Sequence, residues 1–341
     1  MNQPPLFLAP MAGVTNSIFR QICKAQGADI LTSEFVSADG ILHRNSRTRE
    51  MLQFQPSERP FGVQLFGADP EILAKATSNV IEWVQPDFID INFGCPVNKV
   101  VCKFGGSALL RHVDLLQKVA KAVVHAAAPL PVTAKIRIGW DENSINAVQV
   151  AKILEDTGIT RITVHGRTRQ QGYSGLANWD VIAQVVQAVH IPVIGNGDIT
   201  DATTAIKRLQ QTKVAGLMIG RAAMNRPWIF RQIRQALLGQ SISPEPSLAY
   251  RWQLILDHCK KEIESIQNEE LAMRSMRLRL MAYTKNMPNS RNLREKISHI
   301  NSLSQLQALA EENIKIHSDI LLPQLKHSTK NQHLCHQDSF R

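Results

Sequence analysis

The sequence lacks the features that mark membrane, secreted and metal-stabilised proteins. No apolar run approaches the roughly 18 residues that a bilayer-spanning helix needs, and the opening residues MNQPPLFLAP lack the basic start of a signal peptide. Its 5 cysteines form no CxxC pair, which argues against disulfides and a structural zinc site. We therefore expect a protein of the cytoplasm with no membrane association and no bound metal.

The composition otherwise fits a folded chain with a basic surface. Of the 341 residues, 44% are hydrophobic and 20% are charged, so the chain can bury a large core. The net charge of +10 favours a polyanionic partner such as nucleic acid, although many basic enzymes bind none. The basic excess is densest between Arg274 and Lys296, where only Glu295 is acidic. This run is either a binding surface or a solvated face.

Short apolar runs rich in β-branched residues recur at intervals of about 25 to 35 residues, as strands of a repeated β/α unit do. There are eight of them: Leu6–Ala9, Ile30–Ser33, Gly62–Leu65, Phe88–Asn92, Val132–Ile138, Arg161–His165, Val193–Gly195 and Gly216–Ile219. The segments between them, such as 69–83 and 179–189, space their apolar residues as amphipathic helices. Eight such units predict an α/β fold of the (β/α)8 TIM barrel type rather than a doubly wound sheet.

The strand pattern stops after Leu238, and a Pro/Ser-rich linker, SISPEPS, occupies Ser241–Ser247. Only helical spacing follows. We predict a barrel domain over residues 1–240 and an all-helical bundle domain over 247–325. The polar, aperiodic stretch 327–341 is expected to be a disordered tail.

Polar residues follow nearly every predicted strand, where a barrel places its active site. They are Gln64, Asn92, Cys95, Lys135, Arg137, His165, Arg167, Asn196, Asp198 and Arg221. The glycine-bearing loops GNGDITD and GRAAMNRPW come after the last two strands, where barrels bind phosphate, and Arg221 would clamp it. Lys135 faces the barrel interior, where a buried cation needs an anion. It is either a lysine that forms a Schiff base with a substrate or the partner of an anionic reduced flavin.

Cys95 lies in the segment INFGCP, directly after the fourth predicted strand. A lone cysteine is most often a small buried hydrophobe. As a catalytic group it is either a nucleophile, which needs a base and a lowered pKa, or an acid, which must keep its proton near neutral pH. No cysteine-protease pattern accompanies it.

Several motifs, in this order and spacing, resemble the flavin-dependent tRNA-dihydrouridine synthases, and most closely their bacterial B-type branch. The motifs are LAPMAGVT (8–15), GVQLFG (62–67), DINFGCPVNKV (90–100), GGSALL (105–110), HGRTRQQGY (165–173), NGDI and MIGRAA. The resemblance extends over roughly residues 6–306. It implies a TIM barrel that holds FMN, a helical domain that binds tRNA, and NADPH as the reductant.

The resemblance also assigns roles to residues by motif. Cys95 matches the catalytic acid, which would donate a proton to C5 of a uridine after hydride reaches C6. Residues implied to bind FMN are Pro10, Met11, Ala12, Gln64, Lys135, His165, Asn196, Gly197, Asp198, Gly220 and Arg221. Asn92 and Tyr173 would hold the extruded uracil. On one continuous helix Arg274, Arg277 and Lys285 would share a face toward tRNA phosphates, while Arg279 points elsewhere.

Two other functions stay open at the level of sequence. One is an FMN oxidoreductase that reduces a free pyrimidine or another small molecule, which leaves the basic helical domain without a role. The other is a non-catalytic tRNA-binding protein, which leaves Cys95 and Lys135 without one. The sequence indicates no protein partner, so we expect a monomer.

Overall fold

The computed structural model describes residues 3–43, 46–97 and 105–332. Within these residues the chain divides into two compact units, Met1–Ser243 and Pro244–Arg341. The strands all belong to the first unit: β1 (Leu6–Leu8), β2 (Leu31–Thr32), β3 (Val36–Ser37), β4 (Phe61–Phe66), β5 (Phe88–Phe93), β6 (Val132–Arg137), β7 (Arg161–His165), β8 (Val193–Asn196) and β9 (Gly216–Ile219).

The strands form one sheet in which every pairing is parallel, in the order β1-β9-β8-β7-β6-β5-β4-β2. A bridge between Phe7 and Ile30 joins the two ends of this order, so the sheet curls into a nearly closed barrel of eight strands. The predicted (β/α)8 fold is confirmed. Strand β3 is an addition that pairs with the end of β4, and its two residues are too short to carry a strand pattern.

Helices connect the strands as a βα repeat requires. In the barrel unit they are α1 (Ser17–Ala25), α2 (Ala38–Leu42), α3 (Ser46–Leu52), α4 (Pro70–Val84), α5 (Val113–Ala127), α6 (Ala147–Asp156), α7 (Trp179–Ala188), α8 (Ala202–Thr212), α9 (Arg221–Asn225) and α10 (Ile229–Leu237). Helix α4 illustrates their local cause. The Asp69 carboxylate accepts from the N–H groups of Glu71 and Ile72 and caps the helix, which then buries Leu73, Ala76 and Val80.

Four helices make up the described part of the second unit: α11 (Leu248–Ile266), α12 (Glu269–Tyr283), α13 (Ser290–Ile297) and α14 (Leu303–Gln332). Apolar side chains one turn apart, such as Trp252 with Ile255 and Met276 with Leu280, are buried here. The C-terminal helical region is therefore confirmed. Helix α14 continues to Gln332, which lies inside the stretch 327–341; residues 333–341, with Cys335, are outside the described residues.

A buried polar cluster joins α11 to α12. The Arg279 guanidinium contacts His258 Nε2 at 2.9 Å and Glu262 Oε1 at 3.4 Å, and His258 Nδ1 is 2.9 Å from the Tyr283 hydroxyl. Burial lowers the pKa of His258 to about 4, so the imidazole is neutral near pH 7. The Arg279 side chain is thus buried inside the helical unit.

The described residues offer neither a membrane-spanning helix nor a metal site. No helix among them is both long enough and apolar enough to span a bilayer. They also contain no group of three or more His, Cys, Asp or Glu side chains arranged to hold a metal ion.

Candidate active site

The strand register brings the predicted polar residues together at the carboxyl end of the barrel. Asn92 on β5 is the register partner of Lys135 on β6. Arg137 on β6 is the partner of His165 on β7, and His165 is in turn the partner of Asn196 on β8. Parallel strands place these side chains side by side at one mouth, where barrel enzymes bind their ligands.

The Cys95 loop is held by hydrogen bonds to its backbone. Asn92 Oδ1 accepts from Gly94 N at 3.0 Å and from Cys95 N at 2.8 Å. Ser107 Oγ donates to the Cys95 carbonyl at 2.8 Å, and Arg137 Nε donates to the Gly94 carbonyl at 2.9 Å. These contacts fix the position of the Cys95 side chain, which is 5% exposed.

Burial determines the ionisation of Cys95. Removal from water raises the pKa of its thiol, and the nearby positive charges of Arg137 and Lys135 oppose that rise without cancelling it. The thiol therefore stays protonated at neutral pH. This state suits a proton donor and does not suit a nucleophile, which must be a thiolate.

Lys135 bonds an amide oxygen rather than a carboxylate, although the charge of Asp90 is near enough to oppose part of the fall in its pKa. Its Nζ donates to Asn196 Oδ1 at 3.2 Å, while Asn196 Nδ2 is fixed by the Met218 carbonyl at 2.8 Å. Among the described residues no carboxylate lies within ion-pair distance of Nζ. Burial and the charge of Arg137 lower the pKa of Lys135 to about 8. The ammonium group is thus poised for an anionic ligand.

His165 is buried and surrounded by cations. Burial, followed by the charges of Lys135 and Arg137, holds the pKa of His165 well below its ordinary value, so the ring is neutral. Its ring centroid lies 6.5 Å from that of Tyr173. A neutral imidazole at this mouth can donate one hydrogen bond and accept another.

The loops after β8 and β9 are joined through one carboxylate. Asp198 accepts from Arg167 Nη2 at 2.8 Å, from Arg221 Nη2 at 3.1 Å and from the N–H of Ala177 at 2.7 Å. These bonds lower the pKa of Asp198 and keep it ionised. Gly197 has φ +127°, and a side chain there would meet Ala177 Cβ at 2.6 Å, so only glycine fits.

Gln64 and Asn92 form a hydrogen-bonded network beside the Cys95 loop. Gln64 is completely buried, its Nε2 donates to Asp90 Oδ2 at 2.6 Å, and its Oε1 accepts from Asn92 Nδ2 at 2.7 Å. Asp90 also accepts from the Thr133 hydroxyl. The structure gives a protein partner for one of the two Gln64 amide N–H groups. The described hydrogen bonds of the Asn92 carboxamide all serve the protein, so its structural role is to position the Cys95 loop.

The N-terminal loop reaches the same mouth. Met11 packs against the core cluster that contains Ala9 and Met218, and a Cβ at Gly220 would be 3.7 Å from Met11 Sδ. Its neighbours Pro10 and Ala12 flank it on this loop. Ala12 is exposed, whereas the other two are half-buried.

The three basic residues predicted to share a helical face do not do so. Helix α12 ends at Tyr283, two residues before Lys285, so the helical spacing does not extend to that lysine. Arg277 donates to the Ile300 carbonyl at 3.3 Å and to Asn301 Oδ1 at 2.7 Å inside the helical unit. The predicted common face is therefore wrong; Arg274 and Lys285 are each exposed.

Sequence reasoning passed over two residues that build this site and the task of a third. Ser107 and Asp90 lie within the motifs GGSALL and DINFGCPVNKV, but nothing in their spacing shows that they bond Cys95 and Gln64. Arg137 is a predicted strand-end residue, but its role in holding the Gly94 carbonyl has no sequence signal. Contacts of this kind join segments far apart in sequence, and periodicity does not reveal them.

A nearly closed parallel barrel with a protonated cysteine and convergent cations at its mouth defines an enzyme of the (β/α)8 class. The chain belongs to the dihydrouridine synthase family, whose pattern it matches over residues 7–319. The predicted family is confirmed, and membership supports the predicted flavin cofactor.

The relatives agree with this assignment, and a solved structure shares the fold. The chain is 42% identical over 295 residues to tRNA-dihydrouridine synthase B of Pseudomonas aeruginosa, covering 86% of this chain and 88% of that protein. It is 38% identical over 310 residues to the protein of the same name in Xanthomonas campestris pv. campestris, covering 91% and 92%. These names support the B-type branch. Histamine dehydrogenase from Rhizobium sp. 4-9 shares the fold, with a TM-score of 0.52 at 12% identity over 70% of this chain and 48% of that one.

We expect Asn92→Ala to loosen the Cys95 loop. The N–H groups of buried Cys95 and half-buried Gly94 would lose their acceptor, and an unsatisfied buried donor costs about 1 to 3 kcal/mol. Urea unfolding should record this loss of stability. Alkylation of Cys95 by iodoacetamide, followed by mass spectrometry, should become faster. Asn143→Ala, a change on an exposed turn, is the control; equal alkylation rates in the two variants would contradict the positioning role.

Proposed function

We propose that this protein reduces uridines in tRNA to 5,6-dihydrouridine, with FMN as cofactor and NADPH as reductant. The observation that carries the proposal is the protonated Cys95 thiol, held rigidly at the mouth beside the cation Lys135, in a member of the dihydrouridine synthase family. The relatives' names supply the substrate class. A location in the cytoplasm and a monomeric state belong to the same proposal.

The residues present fit an anionic flavin. Lys135 and Arg221 bring two cations to the mouth, and Lys135 has no carboxylate partner among the described residues. Neutral His165 and the amide of Asn196 add polar contacts that carry no charge. Such a donor set matches a ring with a polar edge and a phosphate on its side chain.

Each group has a defined task in this proposal. Lys135, with one N–H of Gln64, would bond the polar edge of the ring, and His165 would lie near it. The loops that contain Asn196, Gly197 and Gly220 would hold the ribityl phosphate with Arg221. Asp198 would act through Arg221, because a carboxylate repels phosphate and Asp198 already bonds that guanidinium group. Pro10, Met11 and Ala12 would lie along the ring.

The bound flavin would supply the hydride that reaches C6 of the uridine. Cys95 would then donate its Sγ proton to C5 from the opposite face of the base, and burial keeps this proton in place until it is needed. Asn92 would keep the thiol aimed, through its bonds to the Gly94 and Cys95 backbone. Tyr173, which is 59% exposed, would contact the uracil that has left its stack.

The test is direct. Purified protein with FMN and NADPH is incubated with unmodified tRNA or with free uridine, and dihydrouridine is measured by mass spectrometry and mapped along the tRNA. We expect dihydrouridine to form in tRNA and not from free uridine. Product from free uridine would instead identify a small-molecule oxidoreductase, and a protein that binds tRNA but forms no product would be a non-catalytic binder.

The exposed basic residues of the helical unit give a separate prediction. If Arg274 and Lys285 neutralise tRNA phosphates, reversing both charges to glutamate should weaken binding. The slope of log affinity against log salt should fall by about 0.7 to 0.9 for each phosphate that the protein no longer neutralises. Flavin reduction should not change. Arg277→Ala should instead destabilise the helical unit, because its bonds to Ile300 and Asn301 are internal.

The matched control reverses the exposed lysines Lys118 and Lys121 on the outer barrel helix α5. This variant changes net charge by the same amount at another place. A salt slope reduced equally by both pairs would mean that only the total charge matters, and that Arg274 and Lys285 make no specific phosphate contact.

A further inference from the structure

The loop between β7 and α7, residues 168–177, is fixed to the barrel by two buried guanidinium groups; we refer to it as the rim loop. Arg137 Nη1 donates to the carbonyls of Thr168 at 2.8 Å and Gly172 at 2.9 Å. Arg137 is 3% exposed, so these bonds are shielded from water. The first half of the rim loop is therefore held from within the barrel.

The second half of the rim loop is held in the same way. Arg167, which is 2% exposed, donates through Nε to the Ser174 carbonyl at 3.0 Å and through Nη2 to the Gly175 carbonyl at 2.6 Å. The N–H of Ala177 donates to Asp198. The backbone is thus anchored immediately before and immediately after residue 176.

Leu176 occupies this fixed position, yet its side chain is 81% exposed. Exposure of a single leucine is common when the backbone around it is loose. Here the backbone is bonded on both sides to the Arg167–Asp198 pair at the barrel mouth. The structure therefore presents one apolar side chain to solvent on a rigid support, next to the site that must receive a base.

The chemistry of the surroundings selects the partner. Tyr173 on the same rim loop is 59% exposed, so the loop also presents an aromatic ring on which a base can stack. One leucine is too small for a protein-binding patch, which covers hundreds of Å². A gap between stacked bases, by contrast, accepts one apolar side chain, and proteins that distort nucleic acid insert leucine in this way.

We propose that Leu176 enters the RNA base stack at the place that the target uridine vacates, and so holds the stack open while the uridine occupies the barrel. This inference rests on the proposed function, because it requires a uridine that leaves its stack. Leu176 is then a positioning residue for structured RNA and has no part in the chemical steps.

The test compares Leu176→Asn, which keeps the size and removes the apolar character, with Leu176→Met, which keeps both. The control is Leu238→Asn. Leu238 is 49% exposed and follows α10, whose Arg234 contacts the Pro4 carbonyl before β1, so it lies at the opposite end of the barrel. Two readouts are taken: kcat/KM for tRNA, and the fluorescence of 2-aminopurine placed beside the mapped target uridine.

With Leu176→Asn we expect kcat/KM for tRNA to fall about tenfold, since burial of a leucine contributes about 1.5 kcal/mol or more. The rise in 2-aminopurine fluorescence on binding should be largely lost. Leu176→Met and Leu238→Asn should match the wild type, and NADPH should reduce the flavin at the same rate in all four proteins. A wild-type fluorescence signal in Leu176→Asn would overturn the inference. A wild-type protein that forms no dihydrouridine would instead overturn the proposed function.

Discussion

Cys95→Ala should lower dihydrouridine formation by about 10²- to 10⁴-fold, the range that a positioned general acid contributes. FMN binding and reduction by NADPH should stay near wild-type values. The reason lies in the arrangement of the site: the Cys95 side chain is not among the cationic groups assigned to the flavin, and its backbone contacts to Asn92 and Ser107 remain when the side chain is shortened. Flavin absorbance, stopped-flow reduction and mass spectrometry of the tRNA measure the three steps separately.

Cys23→Ala is the matched control, because Cys23 is another fully buried cysteine of the barrel unit and lies on α1, away from the mouth. It should form product normally. A Cys95→Ala variant with a product yield close to that of Cys23→Ala would remove Cys95 from the role of acid.

The protonation of Cys95 adds a pH dependence. Since burial raises the pKa of this thiol, the proton is present throughout the neutral range and is lost only at pH values above those of ordinary thiols. With FMN saturating, product formation in the wild type should therefore hold constant through neutral pH and decline at higher pH as the thiol ionises. A decline that begins below pH 7 would indicate a thiolate and would contradict the acid role.

Lys135→Ala should weaken FMN binding roughly 30-fold or more, because removing one partner of a buried charge pair costs about 2 kcal/mol or more. Reduction of the remaining bound flavin should also slow, since the ammonium group would no longer stabilise negative charge on the reduced ring. Lys152→Ala, at an exposed position on α6, is the control. Fluorescence titration of FMN and stopped-flow reduction provide the two measurements.

The pKa of Lys135 predicts how FMN affinity changes with pH. Its value of about 8 means that the flavin-free protein loses this positive charge as pH rises through 8. Affinity for the anionic cofactor should be greatest below pH 8 and decrease above it. The Lys135→Ala variant should lack this step. A wild-type affinity that is constant from pH 7 to pH 9.5 would contradict a direct contact between Lys135 and the flavin.

Much of the barrel could be predicted because its strands and helices follow from patterns among residues that are neighbours in the sequence. Runs such as Phe88–Asn92 and Val132–Ile138 are rich in apolar residues, as strands buried between a core and a layer of helices must be, and eight such runs define the fold class. The helices follow from periodicity and caps, as at Asp69. The sequence does not predict strand β3, because two residues are too few to show the alternation of a strand. The continuous helix predicted through Lys285 is wrong, because α12 ends at Tyr283.

The contacts among the candidate site residues could not be predicted from the sequence. Motif positions imply that Asn92 contacts the uracil, which stays a prediction; the structure adds that its carboxamide holds the Gly94 and Cys95 backbone and bonds Gln64. Arg277 likewise was grouped with Arg274 by charge, yet it bonds Asn301 within its own unit. Residue type determines which hydrogen bonds and ion pairs a side chain can form, while the folded structure determines which partners it bonds.

By itself the sequence determined the order of strands and helices, the break near Ser241 and the placement of Cys95, Lys135 and His165 at strand ends, because each depends on residues adjacent in the chain. Only the tertiary structure decided that the Cys95 thiol keeps its proton, that Lys135 forms no ion pair with a described carboxylate, and that two buried arginines hold the rim loop. These properties depend on distances between segments tens of residues apart, and on the water that folding excludes from between them.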